Sequence, residues 1–430
     1  MGRISIRPLA VLTLVALVAA GCSERETNPF DPASDTEAPT VTSFVYSGGE
    51  ATWSTDEDAL SVLEYAPVGG DFVHYVYEST KYHSTFHRVR VLGMEEGEEY
   101  VVRVRSVDRA GNSSYQNVVG LPDTLTGDAF TGETMRLGMI DVGWGLSMAL
   151  TTPDGSNILI DAGYPEKLDD VLGYLDEEGI DVFDAAVVTH YHLDHYGGFG
   201  LYEPGDEDDG VLNLFTIDAL VVPDTTDLYR EMPDRLRAKA NRYLIPISHV
   251  KQGDTSESVP ALDWDDTPGF EVMVLDAGSG GAMMAVDDSG DEGMNTNNDS
   301  IVLLVRFGEV EVIATGDAEH FVEYDIVTAF GRGALDADFL QVAHHGSDDS
   351  TSELWLDNVR PRVAFISNAM VEAALAKEEV LQGLRDVDSD YFITDRIFPN
   401  TPRNVEPVYG NLILVTDGES MEIILDPDPH

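Results

Sequence analysis

Residues 189–195 (Thr-His-Tyr-His-Leu-Asp-His) constrain the fold more than any other part of this 430-residue chain. They follow a short hydrophobic run that predicts a buried strand. In an extended chain His190 and His192 point to the same side, and Asp194 and His195 follow where the chain turns toward a helix. Since the chain has only 11 His, this density indicates a metal site rather than chance. The donor set suits a pair of hard or borderline cations such as zinc or manganese.

The N-terminus has the features of an export signal. Arg3 and Arg7 precede an apolar run at 9–20 that is too short for a comfortable membrane span. The run ends in Ala-Ala-Gly-Cys, which resembles a bacterial lipobox, so we expect lipid on Cys22. The alternative is ordinary cleavage nearby with Cys22 unmodified. We therefore expect a lipid-anchored envelope protein, on the outer membrane where the cell has one, or a secreted protein if Cys22 is not lipidated.

Cys22 is the only cysteine of the chain. The chain can therefore form no intrachain disulfide and no zinc site built on thiolates. We divide the chain into five segments: a signal peptide (1–21), a lipidated tether (22–35), an all-β sandwich (36–121), a linker (122–133) and an α/β domain (134–428).

The segment 36–121 consists of short alternating runs that predict an all-β sandwich. It resembles a fibronectin type III domain: Ala38-Pro39 stands at the entry, Trp53 follows an alternating strand, and Tyr100 follows Gly-Glu-Glu. In that family the Trp packs in the core and the Tyr closes a tyrosine corner. Because the segment carries no cluster of chemistry-bearing residues, we expect it to be a spacer or a docking module for protein or glycan. A chain beginning near Thr134 would then keep its turnover.

The segment 134–428 alternates strands and helices, which predicts an α/β layered domain. The motif at 189–195 resembles the signature of the metallo-β-lactamase family, and four other runs of this segment resemble the same family. They are Gly-Met-Ile-Asp-Val-Gly at 138–143, Ile-Leu-Ile-Asp-Ala-Gly at 158–163, Thr-Gly-Asp at 315–317 and Val-Ala-His-His-Gly-Ser at 342–347. Asn-Asn-Asp-Ser at 297–300 and the His-His-Gly-Ser run are similar to the ComEC-type branch of DNA-uptake proteins. Secreted phosphorylcholine esterases of this fold share His-His-Gly-Ser. The resemblance implies an αββα sandwich.

The resemblance also implies a role for each matching residue. His190 and His192 would bind the first of two divalent cations, and Asp194, His195 and His345 the second, with Asp317 shared between them. Asp194 and His344 are the catalytic candidates, His344 as hydrogen-bond donor or acid facing the substrate. Asp141 and Asp161 would orient ligands from behind. No third histidine for the first cation is evident; His249 is a weak candidate, and His320 is expected to be a packed or surface residue.

The chain departs from the family near the expected substrate rim. The family often has Gly-Gln-Gly-Asp after Asp-Val, where this chain has Gly143-Trp144-Gly145-Leu146. After the serine that matches Ser367, the family usually has an Asn and then Gly-His-Pro, whereas this chain has Asn368 and then Ala369. These changes leave the metal set intact but put the family's substrates in doubt.

The net charge of −54, from 25 Lys+Arg against 79 Asp+Glu, excludes a general nucleic-acid coat protein. It fits a protein kept soluble in high salt, where charge repulsion is screened. One basic cluster stands out, with Arg235, Lys239 and Arg242 at i, i+4 and i+7 of a predicted helix. These three residues are candidate substrate-binding groups; the alternative is helix solvation.

The ligand set that the resemblance implies predicts a binuclear hydrolase with zinc, or alternatively manganese, that uses a metal-bridging hydroxide. These ligands do not name the bond that is cleaved; a phosphodiester is the leading expectation. The substrate would be nucleic acid or a phospho-decorated envelope polymer. Two alternatives stay open. One is hydrolysis of a lactam, lactone or thioester in the same fold; the other is a non-catalytic binding or DNA-uptake accessory lipoprotein.

Overall fold

The computed structural model describes residues 35–115, 123–200, 210–223, 234–278, 297–331, 333–368, 376–394 and 410–427. The predicted signal peptide, the tether with Cys22 and the first residues of the linker lie outside the described residues. Within the described ranges, no helix is long and apolar enough to cross a membrane.

The N-terminal part is built from seven strands. They are β1 (Val41–Ser47), β2 (Glu50–Pro67), β3 (His74–Glu78), β4 (Ser84–Arg90), β5 (Glu99–Asp108), β6 (Ser113–Ser114) and β7 (Leu125–Thr126). Strand β2 pairs antiparallel with β1, β3, β4 and β5. Trp53 is 1% exposed in the core, and Tyr100 Oη accepts a hydrogen bond from Glu95 N at 2.9 Å. The likeness to fibronectin type III stays a prediction, since these features are compatible with it without establishing it.

The N-terminal strands do not form a sheet of their own. Strand β3 pairs antiparallel with β23 (Ser420–Pro427) near the other end of the chain. The pairing makes one 15-stranded sheet that runs from the N-terminal strands into those of the segment 134–428. We expected a spacer joined through a linker, and the structure instead shows shared backbone hydrogen bonds.

A buried carboxylate reinforces this junction. Glu422 of β23 is fully buried. Its side chain accepts hydrogen bonds from Tyr65 Oη, from His74 Nδ1 at 2.8 Å, and from the backbone N of Leu92 and Gly93 at 2.8 and 3.0 Å. A buried charge of this kind is tolerated only when it is well hydrogen-bonded, so the N-terminal strands complete the environment of Glu422.

The segment from residue 134 contributes strands to two large sheets and one small pair. The first sheet takes β8 (Met135–Met139), β9 (Met148–Thr151), β10 (Asn157–Ile160), β12 (Ala185–Val187), β14 (Leu220–Pro223), β15 (Ile247–Val250), β22 (Gly410–Thr416) and β23. The second takes β16 (Phe270–Ala277), β17 (Ile301–Phe307), β18 (Val310–Ala314), β19 (Phe339–Gln341), β20 (Val363–Ile366) and β21 (Asp390–Ile393). Strands β11 (Val182–Phe183) and β13 (Thr216–Ile217) pair with each other.

Seven α-helices flank these sheets. They are α1 (Leu168–Glu177), α2 (Leu193–Tyr196), α3 (Val211–Leu214), α4 (Asp234–Arg242), α5 (His320–Phe330), α6 (Glu353–Val359) and α7 (Glu378–Asp386). The buried faces of α1 and α4 pack in one cluster with the first sheet. Those of α5, α6 and α7 pack with the second sheet.

A third apolar cluster fills the space between the two sheets, with Met148 and Val187 from the first and Val312 and Phe365 from the second. The order of layers is therefore helices, sheet, sheet, helices, which is compatible with a metallo-β-lactamase fold.

Several elements differ from the sequence prediction. The polar residues 54–58 suggested a break, but β2 is continuous because β4 pairs with its first half and β5 with its second. The sequence pattern predicts helices at 228–243 and at 371–384. The structure describes α4 from Asp234 and α7 from Glu378. Strands β3, β14, β16 and β21 and helix α6 were not predicted.

Candidate metal centre

The candidate ligands all follow the ends of strands. The motif at 189–195 comes after β12, Asp317 after β18, and His345 after β19. Strands β10, β12 and β14 are parallel, as are β18, β19 and β20. The carboxyl ends of parallel strands meet at one edge of a sheet, where ligand sites of α/β proteins commonly form. The two sheets thus bring residues over 120 positions apart to one place.

Six predicted ligands form two groups that share one carboxylate. The first group is His190, His192 and Asp317; the second is Asp194, His195, Asp317 and His345. Within each group the ligand atoms lie within 4.8 Å of one another. This is the grouping that the sequence predicted, with Asp317 between the two sites.

The carboxylate of Asp317 is the centre of the arrangement. Its Oδ2 lies 3.1 Å from His195 Nε2, 3.6 Å from His345 Nε2 and 3.9 Å from His190 Nε2. Its backbone N donates to Ser300 Oγ at 3.1 Å, which fixes the start of the turn. One carboxylate oxygen therefore faces imidazole nitrogens of both groups.

Buried polar atoms without partners test whether the residues fit a metal. Among the described residues, His190 Nε2, His195 Nε2, His345 Nε2 and Asp317 Oδ1 are buried and make no hydrogen bond of ordinary geometry. Buried polar groups in proteins are nearly always satisfied. Four orphaned atoms that converge on one place fit the donor set of divalent cations.

Each imidazole is held through its other nitrogen. His195 Nδ1 lies 2.7 Å from Asp161 Oδ2, and His345 Nδ1 lies 3.0 Å from Ser367 O. His190 Nδ1 lies 3.2 Å from Thr189 Oγ1. Contacts of this kind fix the tautomer and aim Nε2 at a metal. Asp161 therefore contacts a candidate ligand from behind, and its orienting role stays a prediction.

The turn that carries the late histidines is strained. His344 and His345 both have positive φ, 48° and 55°. Residues other than Gly rarely adopt this conformation, and at functional sites the surrounding structure holds them there. The left-handed pair turns the two side chains apart, so that His345 joins the second group while His344 faces another set of residues.

His344 is the more open of the two. Its Nδ1 lies 2.8 Å from Asp349 Oδ1, and its Nε2 lies 4.0 Å from Asp317 Oδ2 and 3.4 Å from Asn297 Nδ2. Burial lowers its pKa, but the hydrogen bond that it donates to Asp349 and the charge of Asp317 outweigh burial and raise the pKa to about 9. In the metal-free site this imidazole is therefore charged at neutral pH.

The carboxylates of the site are ionised, although burial alone would raise their pKa. His195 and His345 hold the pKa of Asp317 well below its usual range, and the same residues lower that of Asp194. Burial and the neighbouring His195 keep the pKa of His190 well below normal, so its imidazole is neutral. For His195, Asp317 and Asp161 overcome burial and raise the pKa. Metal binding must therefore release the proton of His195, which makes affinity pH-dependent.

Other predicted residues lie outside the two groups. Asp141 Oδ1 accepts a hydrogen bond from Gly143 N, and its own N donates to Asn411 Oδ1. Its role behind a ligand stays a prediction. His249 is exposed on β15 with Nδ1 3.2 Å from Pro223 O. His320 is exposed at the start of α5. Neither belongs to the candidate metal groups of the described residues.

The basic cluster lies on α4, which packs beside the segment that follows the metal motif. Arg235 and Arg242 are exposed, and Lys239 is half-buried. A Cβ built on Gly200 would lie 2.0 Å from Lys239 Nζ, so the amine sits against that glycine. The structure thus brings the helix to the neighbourhood of residues 196–200.

Sequence reasoning missed four residues that touch the site. They are Trp144, whose Nε1 donates to Asp194 Oδ2, Asn297 and Asp349 beside His344, and Ser367 behind His345. Asn297 stood in a run singled out for its family likeness, and Trp144 and Ser367 stood in the runs where the chain departs from the family. Asp349 carried no signal, since a surface aspartate in an acidic chain does not stand out.

Comparisons with known proteins give one family match, two relatives in sequence and one solved structure. Residues 142–203 match the family described as the metallo-beta-lactamase superfamily. The chain is 28% identical over 246 residues to ComE operon protein 3 of Bacillus subtilis (53% of this chain, 28% of that protein). It is 30% identical over 242 residues to Recombination protein 2 of Haemophilus influenzae (55% and 24%). These matches support a metallo-β-lactamase fold of the ComEC type.

The matched stretches span about a quarter of each relative's own length. A solved structure of purple acid phosphatase PPD1 from yellow lupin seeds covers 89% of this chain and 73% of its own, at 10% identity and a TM-score of 0.22. A likeness that low carries no argument about this chain.

Proposed function

We propose that this chain is a binuclear metal-dependent phosphodiesterase held at the cell envelope. The observation that carries the proposal is the pair of donor groups sharing Asp317, with four buried, unpartnered ligand atoms around it. A hydrolase built in this way needs no serine or cysteine nucleophile.

The two groups suit two divalent cations, zinc first and manganese as the alternative. When bound, such a pair lowers the pKa of a water near neutrality and takes up charge on the phosphoryl oxygen. Asp317 would be the ligand shared by the two cations. Asp161 and Ser367 contact the Nδ1 atoms of His195 and His345, which leaves their Nε2 atoms directed at the site.

His344 is the candidate acid of the reaction. Asp349 holds its Nδ1, and this leaves Nε2 directed to the same side as Asp317 Oδ2. From there it donates a hydrogen bond to the phosphoryl oxygen or a proton to the leaving group. Asp194 would be a metal ligand, and its Oδ2 also accepts a hydrogen bond from Trp144 Nε1. This hydrogen bond fixes the orientation of the carboxylate.

A phosphodiester is favoured over a lactam by two supports. The first support is the names of the relatives, which are ComE operon protein 3 and Recombination protein 2. The second is that the basic residues Arg235, Lys239 and Arg242 lie on α4, which packs beside the segment that follows the metal motif. Against nucleic acid stands the charge of −54, which repels a polyanion unless salt screens it. Nucleic acid and a phospho-decorated envelope polymer both fit this chemistry.

Attachment to the envelope is part of the proposal. It rests on the apolar run before Cys22, and multiple lipid chains anchor firmly where a single one does not. Cys22→Ala is expected to move the protein from the membrane fraction to the soluble fraction. Unchanged partition contradicts lipidation.

Metal analysis and two chromogenic substrates test the activity. We expect about two equivalents of metal per chain, hydrolysis of bis-p-nitrophenyl phosphate, and little of nitrocefin. Asp170→Asn, on the exposed side of α1, serves as a control that leaves both unchanged. Faster turnover of nitrocefin favours the lactam alternative. Less than about half an equivalent of metal favours a non-catalytic accessory protein.

A further inference from the structure

Trp144 is unusual among the tryptophans of this chain. Trp53, Trp264 and Trp355 are 1%, 4% and 1% exposed, whereas Trp144 is 39% exposed. The chain has four Trp in all. An aromatic surface left open to water contributes little to folding, and at the rim of the metal centre it is available to a ligand.

The indole of Trp144 is fixed in place. Its Nε1 donates to Asp194 Oδ2 at 3.1 Å. The next residue, Gly145, has φ +124°, and a Cβ there would lie 2.5 Å from Asp194 O. Ser367 Oγ donates to Gly145 O at 2.6 Å, and Leu146 N donates to Asp194 O at 3.0 Å. The loop is therefore pinned against the backbone of a metal ligand.

The fixed ring lies beside the second donor group. Its centroid is 6.1 Å from that of His345, at an interplanar angle of 47°. Because its polar N–H edge is used by Asp194, the part of the ring left open is apolar. A rigid aromatic platform of this kind binds a flat partner at little further cost in conformational entropy.

We propose that Trp144 is a substrate-binding residue whose exposed face stacks on a nucleobase next to the scissile phosphate. The inference rests on the proposed phosphodiesterase function and names single-stranded nucleic acid as the substrate class. One aromatic platform suffices for a base, since every base has a π-face. A quaternary ammonium group is typically held by a cage of several aromatic rings. In the part of the chain that the structure describes, the ring contact of Trp144 is with His345 alone, which favours the base.

Tryptophan fluorescence tests binding without requiring turnover. Trp144 is the accessible tryptophan, so it should dominate quenching by acrylamide, and Trp144→Phe should abolish most of that quenching. A short oligothymidylate should protect Trp144 from acrylamide, whereas an oligonucleotide of the same length with abasic sugars should not. Salt of about 1 M reduces the Debye length to about 3 Å, which removes long-range repulsion and leaves stacking. Protection by phosphorylcholine but not by oligothymidylate would overturn the proposal.

Kinetics separate stacking from the hydrogen bond to Asp194. Trp144→Leu should lower kcat/KM for the base-bearing oligonucleotide by about 5- to 150-fold more than for the abasic one. Trp144→Phe keeps a ring, so the ratio of the two substrates should stay near that of the wild type even if both slow down. Tyr82→Leu removes an aromatic ring that is 71% exposed in the N-terminal part. It should leave kcat/KM unchanged for both the base-bearing and the abasic oligonucleotide.

Equal losses on both substrates in Trp144→Leu would show that the residue only positions Asp194, and the proposal would fail. If the chain hydrolyses no phosphodiester, the proposed function fails, and the fluorescence result still decides whether Trp144 binds a base.

Discussion

Asp161 Oδ2 lies 2.7 Å from His195 Nδ1, and both side chains are fully buried. The same carboxylate accepts hydrogen bonds from Thr189 N at 2.8 Å and from Thr189 Oγ1 at 2.6 Å. Asp161 thus ties the end of β10 to the start of the metal motif. It fixes the one His195 tautomer that leaves Nε2 free for a metal.

Asp161→Asn is expected to weaken metal binding by about 10- to 100-fold, the usual range for loss of a carboxylate behind a metal-bound histidine. The amide keeps the shape but cannot hold the charge that favours the metal-bound imidazole. Competition with a chelator, read by metal analysis, measures the change. Asp141→Asn provides the comparison, because the Asp141 carboxylate accepts from Gly143 N; a larger effect there would reverse the two roles.

The neighbours His344 and His345 should behave differently although they are adjacent in the chain. Asp317→Ala should lose both cations and several orders of magnitude in turnover, because it is the shared ligand. His345→Ala should lower metal content. His344→Ala should keep metal near the wild-type level and reduce kcat by about 10²- to 10³-fold, the effect of losing one acid or oxyanion donor. Metal analysis and steady-state kinetics on the same preparations check all three.

Two results would contradict that assignment. If His344→Ala strips metal and His345→Ala does not, the two histidines have exchanged roles. If neither changes metal content or turnover, residues 342–347 are not at the reactive site.

The sequence predicted the local part of the site well because its signal is local. His190, His192, Asp194 and His195 lie within one short segment, so an extended strand followed by a helix brings them together. Asp317 and His345 came from the family likeness, since nothing in the sequence measures their distance from the motif. The contact of Trp144 with Asp194 depends on a turn between two glycines, and such a contact cannot be deduced from residue types.

The fold was predictable where a pattern repeats within one element. The hydrophobic patterns at 311–315 and 363–366 predict strands and that at 320–330 predicts a helix, and β18, β20 and α5 lie at these positions. The pairing of β3 with β23 joins residues over 300 positions apart. The pairing depends on contacts that form only in the folded chain, such as those of the buried Glu422 with Tyr65 and His74. The hydrophobic periodicity of a strand does not indicate which distant strand it pairs with.

Removal of the N-terminal strands should destabilise the chain, which differs from the expectation of a dispensable spacer. A chain that begins at Thr134 leaves β23 as an open edge and takes away the partners of the buried Glu422. Unpaired edges aggregate, and each buried polar group left unsatisfied costs about 1–3 kcal/mol. We expect a lower Tm and poorer solubility, measured by thermal unfolding and light scattering. A truncated chain with unchanged Tm and full turnover would establish the spacer instead.

Asp338, which precedes β19 and so lies at the opposite end of that strand from His345, gives the stability a pH dependence. It is 4% exposed and accepts from Glu311 N at 2.9 Å. Burial raises its pKa to about 7, although Lys81 opposes the shift. The unfolded carboxyl has a pKa of about 3.9, so between about pH 4 and 7 the folded state holds a proton that the unfolded state has lost. Stability therefore falls as pH rises through this window. Asp338→Asn removes the ionisable group. At about 1.4 kcal/mol per pKa unit, its free energy of unfolding should exceed that of the wild type by about 2–4 kcal/mol at pH 8. Near pH 4 the two free energies should be equal. Urea unfolding in chelator at both pH values measures the difference, with Asp170→Asn as the control; equal wild-type and Asp338→Asn stabilities at pH 8 would mean that the buried carboxyl ionises without cost.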